Sequence, residues 1–123
     1  MIGPSTLFFH ELHLRPILAA PPSGCRNIQA IHSTATQITL RWKRPLNTGR
    51  DDFYYEIEYS DGEDTGEHSL ESKMEYVQEE ITGLKPDTRY EFTVTVNNGV
   101  SDQDDRNDDL RSCELTTRTM EGS

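Results

Sequence analysis

Short runs in which apolar and polar side chains alternate recur along the chain, and turn residues separate them. The clearest run is 36–43, where Ile38, Leu40 and Trp42 fall on one face of an extended segment and polar residues fall on the other. Seven such runs are predicted as strands: 25–31, 36–43, 53–59, 68–72, 76–81, 88–96 and 110–118. Because no helical period interrupts them, we predict an all-β domain, a seven-stranded antiparallel two-sheet sandwich.

The turn before the sixth predicted strand has a recognisable layout. Leu84, Pro86 and Thr88 precede Tyr90 at alternate positions. This spacing is typical of a tyrosine corner, in which a buried phenol hydroxyl hydrogen-bonds back to the upstream backbone. The residues expected to form the core are Trp42, Tyr55, Ile57, Leu84, Tyr90 and Phe92.

Composition shifts suggest three segments. Pro21 and Pro22 begin a stiff boundary, so we expect the domain to span 21–119, with a tail at 120–123. Residues 1–20 form an irregular leader, for which disorder is one of the readings left open.

The charge balance narrows the range of partners. Twelve basic and 22 acidic side chains give a formal net charge of −10, which disfavours binding to nucleic acid or to anionic lipid. No apolar run reaches the length of a membrane-spanning helix, so no direct membrane insertion is expected. No catalytic motif or nucleotide-binding glycine loop is found, so we expect no enzyme activity and no cofactor.

Five aspartates gather in the loop after the sixth predicted strand: Asp102, Asp104, Asp105, Asp108 and Asp109. Together with Arg50 and Asp51 they form the candidate partner-binding loop, since loops on a rigid sandwich commonly carry recognition. The alternative is a calcium-dependent or enzymatic role of the acidic loop 102–109. The spacing misses the helix–loop–helix calcium pattern, because Arg106 stands at its fifth position.

The two cysteines, Cys25 and Cys113, lie in the first and last predicted strands, near the same end of the sandwich. They form a candidate disulfide if the strands bring their Cα atoms to within about 4.4–6.8 Å. The alternative is a pair of unrelated buried thiols, because the two strands belong to different sheets.

Together these features resemble a fibronectin type III domain, an immunoglobulin-like fold, over residues 21–119. The matching features are the proline-rich entry, Trp42 in the second strand, alternating Tyr55 and Ile57 in the third, and the corner ending at Tyr90. A finer similarity, carried by 47–52 and 96–103, is to the first such domain of Eph-type receptors and related animal cell-surface proteins. Where that receptor family usually has cysteines after the third strand, this chain has 60–62, Ser-Asp-Gly.

The resemblance implies a non-catalytic protein-binding or spacer module of an extracellular receptor or adhesion protein. Such a module presents loops on a rigid β-sandwich to a protein partner, with neighbouring domains in a larger parent protein. The surface we expect to bind is the loop pole, defined as residues 44–52, 73–75 and 97–109.

Overall fold

A computed structural model describes residues 22–49, 52–98 and 111–122. Within them, alternating side chains form seven strands and no α-helix. The strands are β1 Arg26–Ser33, β2 Ile38–Lys43, β3 Tyr54–Ser60, β4 Thr65–Leu70, β5 Tyr76–Ile81, β6 Arg89–Asn97 and β7 Ser112–Arg118. Among the described residues, no helix is long and apolar enough to cross a membrane.

The strands form two antiparallel sheets, one in the order β1-β2-β5 and the other in the order β4-β3-β6-β7. Their inward residues meet in one core, because every second side chain of a strand points to the same face. This architecture confirms the predicted seven-stranded sandwich.

One predicted strand is displaced. The sequence placed the fourth strand at 68–72, whereas pairing with β3 begins already at Thr65, opposite Ser60. The Asp61 carboxylate accepts hydrogen bonds from the backbone N–H groups of Glu63 and Asp64 (2.8 and 2.7 Å), so the turn closes within four residues. Gly66, which lies before the predicted fourth strand, is a strand position opposite Tyr59.

The centre of the core is aromatic. Trp42 and Tyr55 are fully buried, and their rings meet edge to face with centroids 5.2 Å apart. Burial raises the pKa of the Tyr55 hydroxyl above its ordinary value. Complete removal of these rings and their aliphatic neighbours from water supplies the main stabilising term, at roughly 25 cal/mol per Å² of apolar area.

The tyrosine corner is present between β5 and β6. The backbone N–H of Lys85 donates a hydrogen bond of 2.9 Å to the Tyr90 hydroxyl, and Tyr90 is only 5% exposed. The Lys85 ammonium also contacts the carboxylates of Asp61 (2.8 Å) and Asp64 (2.7 Å). The corner is therefore tied to the β3–β4 turn as well as to its own strand.

At each edge of the sandwich, one side-chain contact joins the two sheets. At one edge, Cys25 and Cys113 form a disulfide between the start of β1 and β7, with their Cα atoms 5.4 Å apart. At the opposite edge, His68 of β4 contacts the Glu79 carboxylate of β5. The two sheets are thus connected on both sides of the core.

Candidate interaction surfaces

The described part of the loop pole, which is predicted to bind a partner, lies at the end of the sandwich next to the disulfide. Arg50, Asp51 and the aspartates Asp102, Asp104, Asp105, Asp108 and Asp109 lie outside the described residues, so their predicted role stays a prediction. The described part of the pole comprises 44–49, 52, 73–75 and 97–98.

Arginines hold this part of the pole together from within. Arg26 donates two hydrogen bonds to the carbonyl oxygen of Arg44, from Nε (3.1 Å) and Nη2 (2.9 Å). Arg44 in turn donates from Nη1 to the carbonyl oxygen of Lys73 (3.2 Å), and its guanidinium lies 5.3 Å from the ring centroid of Phe53. Each guanidinium thus uses part of its donor set to tie two backbone segments of the pole together.

Polar contacts from three directions fix the loop that follows Arg44. The backbone N–H of Ser23 donates to the carbonyl oxygen of Asn47 (2.7 Å). The Asn47 side chain accepts from the N–H of Gly49 (2.9 Å), whose φ of 74° suits a glycine. The amide of the buried Asn98 donates to the carbonyl oxygen of Thr48 (3.0 Å). The described loop is a preorganised platform.

The structure reveals a second surface, on the outer face of the three-stranded sheet, that the sequence did not indicate. Tyr76 at the start of β5 is 47% exposed. The Arg41 guanidinium carbon lies 4.5 Å from its ring centroid, and Lys43 Nζ lies 5.7 Å from it. A guanidinium over an aromatic face is a cation–π contact. We call Arg41 and Tyr76 together the Arg41–Tyr76 ridge.

A hollow lies on each side of this ridge. The one towards β1 has a volume of about 290 Å³ and is lined by Asn27 and Gln29 in addition to the ridge. The pairing of β1 with β2 shifts register here, and Asn27 has a φ of 54°, as in a β-bulge that redirects side chains. The second hollow, of about 530 Å³, lies towards the 71–75 loop, where Leu70 and Met74 contribute apolar surface.

The outer face of the four-stranded sheet carries a row that contains three glutamates. Glu67 lies directly opposite Glu58, and Glu114 lies two strands further along the same row, beyond Thr93. Like charges directly opposite each other are mildly destabilising. No group of three or more metal-ligating side chains is found in the described part of the chain.

The sequence-predicted core residues are all buried in the structure: Trp42, Tyr55, Ile57, Leu84, Tyr90 and Phe92. The ridge was missed because it joins residues of β2 and β5 whose proximity depends on strand pairing. Tyr76 is opposite Lys43, one position beyond the pair of Val77 with Trp42. The sequence signals that could have indicated the ridge were limited to a polar Arg41 in one predicted strand and an outward-facing Tyr76 in another.

Comparisons with known proteins agree with this geometry. The family model of the fibronectin type III domain matches residues 20–110. No curated protein has a significantly similar sequence. Domains d3-d4 of the rat CD45 extracellular region align with a TM-score of 0.61 at 16% identity, covering 82% of this chain and 51% of that one. A redesigned β-sandwich protein aligns with a TM-score of 0.58 at 18% identity, covering 81% and 97%. The chain thus spans about half of the CD45 fragment, and these likenesses concern the fold alone.

Proposed function

Since the chain belongs to the fibronectin type III family, we propose that it is a non-catalytic, protein-binding or spacer module of an extracellular receptor or adhesion protein. The observation that carries this proposal is the disulfide between Cys25 and Cys113. Disulfides persist in oxidising compartments and are rare in the cytosol. The extracellular origin of the CD45 fragment is in keeping with it.

The arrangement of the polar surfaces supports recognition as the role of the module. The described part of the loop pole is held by hydrogen bonds that are already made, so little ordering is needed when a partner binds. The finer similarity of 47–52 and 96–103 to the first such domain of Eph-type receptors belongs to this proposal. So does the role of the five aspartates of 102–109 as a contact for a basic partner.

The disulfide on which the extracellular assignment depends is tested by the state of the thiols. The chain is produced in animal cells once with a secretion signal and once in the cytosol, and each product is alkylated with and without reductant before its mass is measured. We expect no alkylation of the secreted protein without reductant and two alkylated cysteines after reduction. Folded secreted protein with two free thiols would contradict the proposal.

Partner binding is tested on intact animal cells. We expect the tagged domain to bind them, and binding to disappear when surface proteins are removed with trypsin. Replacing the five loop aspartates with asparagine should reduce binding and its dependence on salt, because screening weakens contacts between exposed charges. Equal binding of wild type and this variant would remove the aspartates from the site.

A further inference from the structure

We propose that the Arg41–Tyr76 ridge, with the hollow on each side of it, binds a segment of a partner protein in which a carboxylate side chain lies next to an apolar one. This inference rests on the proposed protein-binding function but concerns the outer face of the three-stranded sheet, a surface that shares Met74 with the loop pole. The two halves of this surface differ in chemistry, and each half therefore suits a different side chain of the bound segment.

The half towards β1 is suited to a carboxylate. Among the described residues, no carboxylate lies within ion-pairing distance of the Arg41 guanidinium, whereas Lys43 Nζ is 3.8 Å from Glu75. The Arg41 guanidinium lies over the Tyr76 ring and makes no hydrogen bond to any described residue, so its N–H groups remain able to donate. A guanidinium edge binds a carboxylate through two parallel hydrogen bonds. The amides of Asn27 and Gln29, which line the same hollow, supply further donors.

The half towards the 71–75 loop is suited to an apolar side chain. Met74 is 67% exposed, and Leu70 and the Tyr76 ring line the same hollow with apolar surface. Methionine adapts its shape to the side chain that it contacts. Glu71 at the rim of this hollow disfavours a carboxylate there. The order of the two groups on the partner is thereby fixed: the carboxylate lies over β1 and β2, and the apolar group lies beside β5.

The ridge is rigid enough to contribute strongly to affinity. Tyr76 and Val77 are consecutive in β5, and Val77 pairs with the fully buried Trp42. The ridge side chains therefore project from a backbone that the core holds in place, which lowers the entropic cost of binding. Tyrosine and arginine are also the residue types that most often dominate protein–protein binding energy.

The chemistry favours a protein segment over a sulfated polysaccharide. A polyanion needs several cations presented together, but Arg26 and Arg44 are held by hydrogen bonds to the backbone of the loop pole and Lys43 lies 3.8 Å from Glu75. A single available guanidinium beside exposed methionine and tyrosine instead matches one carboxylate and one apolar side chain.

The test uses a random peptide library displayed on phage and selected on the disulfide-intact domain. The highest-affinity peptides are then synthesised and titrated against wild type, Arg41→Gln, Met74→Ala and the control Arg89→Gln. Arg89 is an exposed arginine at the start of β6, on the other sheet. We expect aspartate or glutamate next to an apolar residue among the selected peptides, and a loss of affinity of about tenfold or more for Arg41→Gln. Met74→Ala should weaken binding several-fold, and Arg89→Gln should change it less than twofold.

Unfolding temperatures show whether each variant is folded, and Arg41→Lys provides a second probe if Arg41→Gln is not. Lysine keeps the charge but loses the two-pronged geometry, so it should also weaken binding. The proposal is overturned if no peptide is selected, if the selected peptides lack a carboxylate, or if Arg41→Gln binds them like wild type. It is equally overturned if a heparin fragment binds through Arg41 while peptides do not. The thiol measurement above is independent of all these results, so failure of the ridge and failure of the proposed function can be distinguished.

Discussion

Removing one hydroxyl group, by Tyr90→Phe, tests the reasoning about the tyrosine corner. Phenylalanine keeps the ring and its contacts, including those with Tyr59 and Phe92 at centroid distances of 6.4 and 6.2 Å. The change therefore removes the partner of the Lys85 backbone N–H and little else.

The size of the effect follows from the environment of that N–H. Leaving a buried donor without a partner costs about 1–3 kcal/mol. Lys85 and Pro86 are themselves exposed, so water can reach the freed donor. We therefore expect the lower half of that range, about 1–2 kcal/mol, which corresponds to a fall in Tm of about 4–8 °C for each kcal/mol in a domain of this size.

Urea unfolding measures this loss directly. Trp42 is the single tryptophan and is fully buried, so its fluorescence reports on the whole core. We expect a lower midpoint with an unchanged slope, because the surface exposed on unfolding is the same. Hydrogen exchange at the Lys85 amide should accelerate more than at Leu84, whose N–H donates to the carbonyl oxygen of Thr36.

The matched control is Tyr76→Phe, since that hydroxyl belongs to a ring that is 47% exposed. It should change the free energy of unfolding by less than about 0.5 kcal/mol. A Tyr90→Phe variant within about 0.5 kcal/mol of wild type, or equal losses of stability in the two tyrosine variants, would contradict a stabilising role for the Tyr90 hydroxyl.

Three further predictions follow from other contacts. Replacing both cysteines with serine should cost about 4–5 kcal/mol in urea unfolding, from the entropy of a loop with a sequence separation of 88; a change below about 1 kcal/mol would contradict this estimate. Gly66→Ala should cost about 1–3 kcal/mol because its Cβ overlaps the Tyr59 ring, whereas Ser69→Ala in the same strand should be nearly neutral, and equal effects would refute the overlap. The Lys85 ammonium holds the pKa of Asp61 well below its ordinary value of 3.8, so this contact stabilises the fold above about pH 4 and is lost as the pH falls further. Lys85→Met should flatten the acid limb of a stability–pH curve, and an unaltered acid limb would argue against the contact.

Much of the fold was predictable because local signals agreed with it. The alternation around Trp42 fixed which face of β2 is buried, and the spacing up to Tyr90 indicated how β5 connects to β6. The predicted start of β4 was wrong because glycine is uncommon within strands, so Gly66 was not expected in one. Its place in a strand depends on Tyr59, whose ring fills the space that a side chain at Gly66 would occupy.

The surfaces were less predictable, for a physical reason. Whether Cys25 and Cys113 meet depends on how closely the edges of two different sheets approach, and the sequence leaves this distance open. The contact between Arg41 and Tyr76 depends on the register between β2 and β5. Contacts of this kind arise only after the strands have paired, so local patterns carry no direct trace of them.

The disulfide also determines how the molecule responds to tension. When the two ends of the described chain are pulled, the force passes from Cys25 directly to Cys113 and bypasses the residues between them, over a sequence separation of 88. At about 3.3–3.6 Å per extended residue, the bypassed segment has a contour length of roughly 300 Å, which cannot be extended as long as the bond is intact. Optical-tweezer traces should show only a short lengthening before reduction and the long release after it. A protein chain that contains this module would thus keep a nearly constant end-to-end length under force while the disulfide is intact. Reduction of the disulfide would allow the chain to extend.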